Sequence, residues 1–185
     1  MKSVYFVRHS IRDFTNREER LAPLTSEGLM LARRLQPFFA DKKISNIYSS
    51  PYLRAVQTIE PTAEWLGKTV IIEDDLRERA VGKWCDNFSE FSTNQWNDFN
   101  FKLANGESLN EVQQRILPIY NEIIKKNEAN IIISGHGTAL SALFNELLDG
   151  KFGLAEFNKM KMPDIYCAEY KFDSLTKFEH IERPF

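Results

Sequence analysis

Arg8-His9 comes directly after the apolar run Val4 to Val7, and His136 follows a second apolar run, Ile131 to Ile133, through Ser134-Gly135. A strand that ends in a cation and an imidazole sets both where open α/β sheets bind ligands. Arg54 and Glu78, in Leu76-Arg77-Glu78-Arg79, extend the set. A guanidinium presents paired planar donors that match phosphate oxygens. A neutral imidazole is a competent nucleophile, and a protonated carboxyl can hand its proton to a leaving alkoxide. Phosphoryl transfer needs in-line placement and charge stabilisation above all, and these residue types supply both.

Taken singly, each group has an ordinary reading. Arg8-His9 reads as a satisfied structural pair, Glu78 as part of an exposed charge run, and His136 as the cap of the helix that follows. Arg54 reads as a solvated surface residue, but it lies near a helix N-terminus, where its charge opposes the dipole. A phosphate at that helix end would give it a reason to be there. Cooperation between separate segments is therefore what the fold must supply.

Short apolar runs predict strands at Val4 to Val7, Ile44 to Tyr48, Val70 to Ile72, Ile131 to Ile133 and Tyr166 to Phe172. Most are apolar on both faces, as in strands covered by helices above and below. Between them, spacing predicts helices over Ser26 to Phe39, bent near Pro37, and over Pro51 to Leu66, with Ser50 as N-cap and a kink or break at Pro61. Ser108-Leu109-Asn110-Glu111 reads as a capping box opening a helix to Lys126, and another helix runs from Thr138 to Leu148. The alternation predicts a three-layer α/β/α sandwich with a mainly parallel central sheet.

The 185 residues fit one domain spanning 1–185, with 43% hydrophobic and 27% charged residues. A formal charge of −2 gives no global footprint for nucleic acid or an anionic membrane. Cys85 and Cys167 are too few for a disulfide framework or a zinc ribbon. The N-terminus lacks the apolar core of a signal peptide, and no run is long enough to span a bilayer, so the reading is cytoplasmic. Oligomeric state is not legible. Trp84 to Leu103 carries Phe88, Phe91, Trp96, Phe99 and Phe101 among polar residues. It reads either as a helical insertion packing rings into the core or as a lid over a pocket, at about 84–105. The run Arg17-Glu18-Glu19-Arg20 reads as a solvated face or as contacts to a polar substrate. His180 has no companions in the sequence and reads as structural or exposed.

The ordered segments Val7-Arg8-His9-Ser10, Ser49 to Thr58, Leu76 to Trp84 and Ser134-Gly135-His136-Gly137-Thr138 resemble the histidine phosphatase (phosphoglycerate mutase-like) superfamily. Leu24-Thr25-Ser26-Glu27-Gly28 and Gly106-Glu107-Ser108 fit beside them, and the likeness runs from Val4 to about Leu148. The resemblance implies a phosphatase-type member with the site at the C-terminal edge of the sheet. His9 would become transiently phosphorylated, Arg8, Arg54 and His136 would hold phosphoryl oxygens, and Glu78 would donate the leaving-group proton and later assist water. It also implies no metal and no cofactor, and a small phosphorylated substrate. Two departures stand out. Ser10 replaces the usual glycine after the nucleophile, and Arg12 falls where the acid-phosphatase branch has a phosphate-binding arginine; a surface salt bridge is its other reading. The function expected is hydrolysis of a phosphomonoester through phosphohistidine. The alternatives are mutase-type transfer back to substrate and a non-catalytic phosphate-binding module. A zinc site of His9, His136 and Glu78 is disfavoured by the lack of short-range ligand pairing.

Overall fold

The computed structural model describes residues 1–83, 85–172 and 174–182. Among them, one sheet contains β1 (Lys2–Arg8), β2 (Ile44–Ser49), β3 (Val70–Ile72), β4 (Asn130–Gly135), β5 (Asp164–Lys171) and β6 (Ser174–Ile181). The strand order is β3-β2-β4-β1-β5-β6. The first four strands pair in parallel, while β5 and β6 extend the sheet antiparallel beyond β1.

Alternation along β1 explains the layers. Val4 and Phe6 face one side and pack with Val112, Ile116 and Tyr120 of α5 (Leu109–Lys126) and with Leu140 and Phe144 of α6 (Gly137–Leu147). Tyr5 and Val7 face the other side, against Leu35 and Phe39 and against Ile59 and Ala63 of α3 (Leu53–Trp65). Both faces of the strand are buried over Val4 to Val7, which is why that run is apolar without alternation. The sandwich is the one expected from the alternating strand and helix patterns.

The predicted Ser26 to Phe39 helix divides into α1 (Ser26–Arg33) and α2 (Gln36–Phe39), with Pro37 in the first turn of the second piece. Pro61, by contrast, lies inside an unbroken α3. That helix starts at Leu53 with Tyr52 as cap, so Ser50 is not its N-cap. The capping box of α5 is present, with Ser108 Oγ accepting from Glu111 N at 3.2 Å and the Glu111 carboxylate from Ser108 N at 2.8 Å.

The insertion folds as α4 (Phe88–Asn97), and α7 (Leu154–Phe157) follows α6. Strand β6 has no counterpart in the periodicity reading. A register shift at Glu169/Tyr170 sets Leu175 opposite Tyr170 and Phe178 opposite Ala168, so two core-facing residues lie three apart instead of two. Among the described residues no helix is long and apolar enough to cross a membrane.

Candidate active site

Parallel pairing aligns the C-terminal ends of β1, β4 and β2, with Arg8 opposite Gly135 and Ser49 opposite Ser134. The chain continues that alignment one residue further, with His9 N donating to Gly135 O at 2.9 Å and Ser50 N to Ser134 O at 3.0 Å. Residues that follow three separate strands thus meet, and the His9 and His136 ring centroids lie 5.2 Å apart.

His9 is buried, with Nδ1 2.7 Å from the Ser10 carbonyl oxygen. A carbonyl only accepts, so Nδ1 carries the hydrogen and Nε2 keeps the lone pair. The Arg54 Nε–H donates to that Nε2 at 3.3 Å. Burial first, and the Arg54 charge second, hold the His9 pKa well below the usual histidine value, so the ring is neutral at neutral pH. His136 is also fully buried and held well below the usual value by burial, Arg54 and His9. Its Nε2 lies 2.7 Å from Ser50 Oγ, and its buried Nδ1 has no hydrogen-bond partner among the described residues.

The cations are built in from the scaffold. Arg8 NH1 donates to Met160 O at 2.9 Å, and its buried Nε is without a hydrogen-bond partner among the described residues. A Cβ on Gly137 would come within 3.0 Å of Arg8 Cζ and Nε, so glycine at the start of α6 lets the guanidinium lie against it. Arg54 is among the largest fully buried side chains, and its guanidinium carbon stands 4.9 Å from the Tyr52 ring centroid. Thr58 Oγ1 donates to Arg54 O at 2.7 Å and accepts from Ser10 N at 2.9 Å, tying α3 to the loop after β1.

Glu78 lies across the opening of α6. Its carboxylate accepts from Thr138 N at 3.1 Å, Ala139 N at 2.9 Å and Arg79 N at 2.8 Å, and its charge acts on both Arg8 and Arg54. The segment after it is pressed against the loop before α5. Gly82 has φ +86°, and a Cβ there would meet Ala104 O at 2.3 Å. Glu107 N donates to Ala80 O at 2.8 Å, while the Glu107 carboxylate accepts from Ala80 N and pairs with Arg77 at 2.9 Å and Arg115 at 3.0 Å. Burial alone would raise the Glu107 pKa, but Arg115 and the Ala80 N–H outweigh it and pull the value down.

Arg8, His9, Arg54, Glu78 and His136 are therefore brought into one electrostatic neighbourhood. Arg12 joins it indirectly, since its NH1 pairs with Glu19 at 3.1 Å and Glu19 also pairs with Arg54 NH2 at 3.2 Å. Arg12 makes a salt bridge, but one at the site instead of on a remote surface. Ser10 is buried and is absent from the positive-φ positions, so the serine meets no backbone strain here.

Sequence reasoning did not single out Tyr52 or Thr58, took Ser50 for a helix cap, and read Glu19 only as a member of a run that is solvated or contacts a polar substrate. Only Ser50 had a usable signal, a hydroxyl next to a helix start. His180 does have a companion: its Nε2 lies 2.7 Å from the fully buried Asp164. The rings of α4 pack on the segment that follows and on α7, with Phe91 and Phe101 6.0 Å apart, Trp96 5.5 Å from Phe99 and 6.0 Å from Phe157, and Arg79 over Phe91 at 4.8 Å. They join neither main core cluster, and Trp84 lies outside the described residues. Among the described residues no group of three or more His, Cys, Asp or Glu is arranged to hold a metal ion.

The family model of the histidine phosphatase superfamily (branch 1) matches residues 4–177. The chain belongs to the histidine phosphatase superfamily. Within it, the chain is 29% identical over 157 residues to "Putative phosphoserine phosphatase 2" of Hydrogenobacter thermophilus, covering 77% of each chain. It is 28% identical over 158 residues to "Uncharacterized phosphatase PhoE" of Bacillus subtilis, covering 81% of this chain and 79% of that one. Among solved structures, mycobacterial glucosyl-3-phosphoglycerate phosphatase Rv2419c in complex with inorganic phosphate aligns with a TM-score of 0.79 at 19% identity, covering 98% and 96% of the two chains, a likeness of fold.

Proposed function

We propose that this histidine phosphatase superfamily member is a metal-independent phosphatase that hydrolyses a small phosphomonoester through a phosphohistidine on His9. The observation that carries the reading is the His9 ring itself. Nδ1–H is committed to the Ser10 carbonyl, burial keeps the ring neutral, and Nε2 presents its lone pair beside Arg54.

Arg8, Arg54 and His136 hold the phosphoryl oxygens, with the arginines supplying the positive charge that a divalent cation supplies elsewhere. An incoming phosphoryl oxygen takes over the Arg54 Nε–H, freeing Nε2 for in-line attack on phosphorus. The N–P bond forms as the bond to the leaving oxygen breaks, and Glu78, a carboxylate in the free enzyme but carrying a proton in the substrate complex, gives that oxygen its proton. Glu78, now a carboxylate, then takes a proton from water as the water attacks phosphorus. The N–P bond breaks, and inorganic phosphate and neutral His9 result. Names of relatives that refer to phosphoserine and glucosyl-3-phosphoglycerate support the class of small phosphorylated metabolites. The aromatic segment at about 84–105, which follows Glu78, is the proposed lid over the substrate.

Hydrolysis of an aryl phosphate in excess chelator tests the reading, with full activity expected for the wild type and none for His9→Ala. Retained activity in that variant would remove His9 as nucleophile. Loss in chelator would remove metal independence, and interconversion of the two monophosphoglycerates in place of hydrolysis would make the enzyme a mutase.

A further inference from the structure

The guanidinium of Arg54 has its donors divided among three partners. Nε–H points to His9 Nε2 at 3.3 Å, NH1 donates to the Glu19 main-chain oxygen, and NH2 donates to Glu19 Oε2 at 3.2 Å. The same carboxylate accepts from Arg12 NH1 through both oxygens, at 3.1 and 3.2 Å. Two planar oxygens thus bridge two guanidinium groups at the cation cradle, which is the task assigned above to a phosphoryl group.

The loop that carries Glu19 is fixed in its backbone, while this side chain stays open to solvent. Its neck is closed by pairing of Arg12 with Leu24 and by Asp13 N donating to Pro23 O at 2.8 Å. Its far side is pinned by Leu53 N to Arg20 O at 2.9 Å and by the Arg20–Asp74 ion pair at 3.0 Å. The Glu19 side chain, however, is 57% exposed, against 2% for Arg54 and 12% for Arg12. It has a path into water, where its charge is solvated, whereas the arginines it bridges cannot follow. Arg12 and Arg54 also repel each other, so the cradle favours an anion between them at all times.

We infer that Glu19 is an internal ligand of the arginine cradle, competing with the phosphoryl group for Arg54 and Arg12 and discharging inorganic phosphate after hydrolysis. The inference rests on the proposed phosphate site. A competitor built into the protein weakens every anion by the factor set by its own closure. A ligand bearing three free oxygens and two charges overcomes that factor, while a carboxylate offers only what Glu19 already supplies. The same competition limits product inhibition.

The test is calorimetric titration of the full-length protein with inorganic phosphate, comparing wild type with Glu19→Gln and Glu19→Asp. Gln keeps the shape without the charge, and Asp keeps the charge with one methylene less reach. Both are expected to bind phosphate about tenfold more tightly than wild type, the scale of one charge-assisted contact, with product inhibition strengthened by a similar factor. Unchanged or weaker phosphate binding in both variants, with thermal melts confirming that they are folded, would overturn the inference and make Glu19 a support that positions Arg54. Absence of phosphate binding in all three proteins would overturn the cradle itself, and this inference with it.

Discussion

His9 and His136 are buried side chains whose Nδ1 and Nε2, respectively, are set by neutral groups, the Ser10 carbonyl and the Ser50 hydroxyl, with a single charged contact, from Arg54 to His9 Nε2. The rim loop a few residues later in the chain is organised by ion pairs, with Glu19 and Arg20 reaching from exposed side chains to Arg12, Arg54 and Asp74. Neutral hydrogen bonds between buried groups fix direction and tautomer, and they cost most when broken because the freed group stays buried. Ion pairs with one exposed partner are individually weak and readily exchanged for another ion. On the proposed mechanism, chemistry that needs a fixed lone pair sits in the first region, and the exchange of one anion for another sits in the second.

Substitutions in the two regions should have effects of different size. Glu78→Gln keeps an acceptor for the N–H groups of α6 but cannot cycle a proton, so kcat is expected to fall by roughly 10²–10⁴, with phosphate affinity nearly preserved. Parallel kcat and affinity measurements check this, and an equal loss in both would make Glu78 a binding group only. Next in size, Ser50→Ala removes the hydroxyl beside His136 Nε2 and is expected to lower kcat/KM about tenfold. Arg20→Ala on the rim should change it less than about threefold. Steady-state assays of the pair decide it, and a reversed order would erase the contrast.

Acid should also discriminate between the two regions. The pKa values of His9 and His136 are lowered by burial and by Arg54, so the folded protein resists protonating them while the unfolded chain does not. Stability they contribute is complete above pH ~6.5 and is lost as pH falls toward their folded values, at up to about 1.4 kcal/mol per pH unit for each. Denaturant unfolding from pH 8 to 5 should show this decline, flattened in His136→Asn, while NMR should find both rings neutral at pH 6.5. Titration of both rings near 6.5 would contradict the buried, neutral pocket.

Much of the candidate set was legible because strand ends are legible. Apolar runs stopping at Arg8 and Gly135 located His9 and His136, and the parallel sheet did the rest by aligning those ends. Arg54 was visible through its conflict with a helix dipole. Ser50 was visible but misassigned, since a serine before a helix start looks the same whether it caps that helix or holds an imidazole from another strand. Glu19 could not be recognised, because an exposed carboxylate in a charged run gains its meaning only when loop closure delivers it to Arg54. Strand β6 was hidden by its bulge, and the His180–Asp164 pair with it, since residues 16 apart meet only across that hairpin.

The most direct test of the account is to trap the phosphoenzyme. Rapid quench into alkali, where a phosphoramidate survives, during turnover of a ³²P-labelled phosphomonoester should leave label on His9 and none in His9→Ala. Turnover without label on the wild-type protein, or label on a residue other than His9, would contradict it.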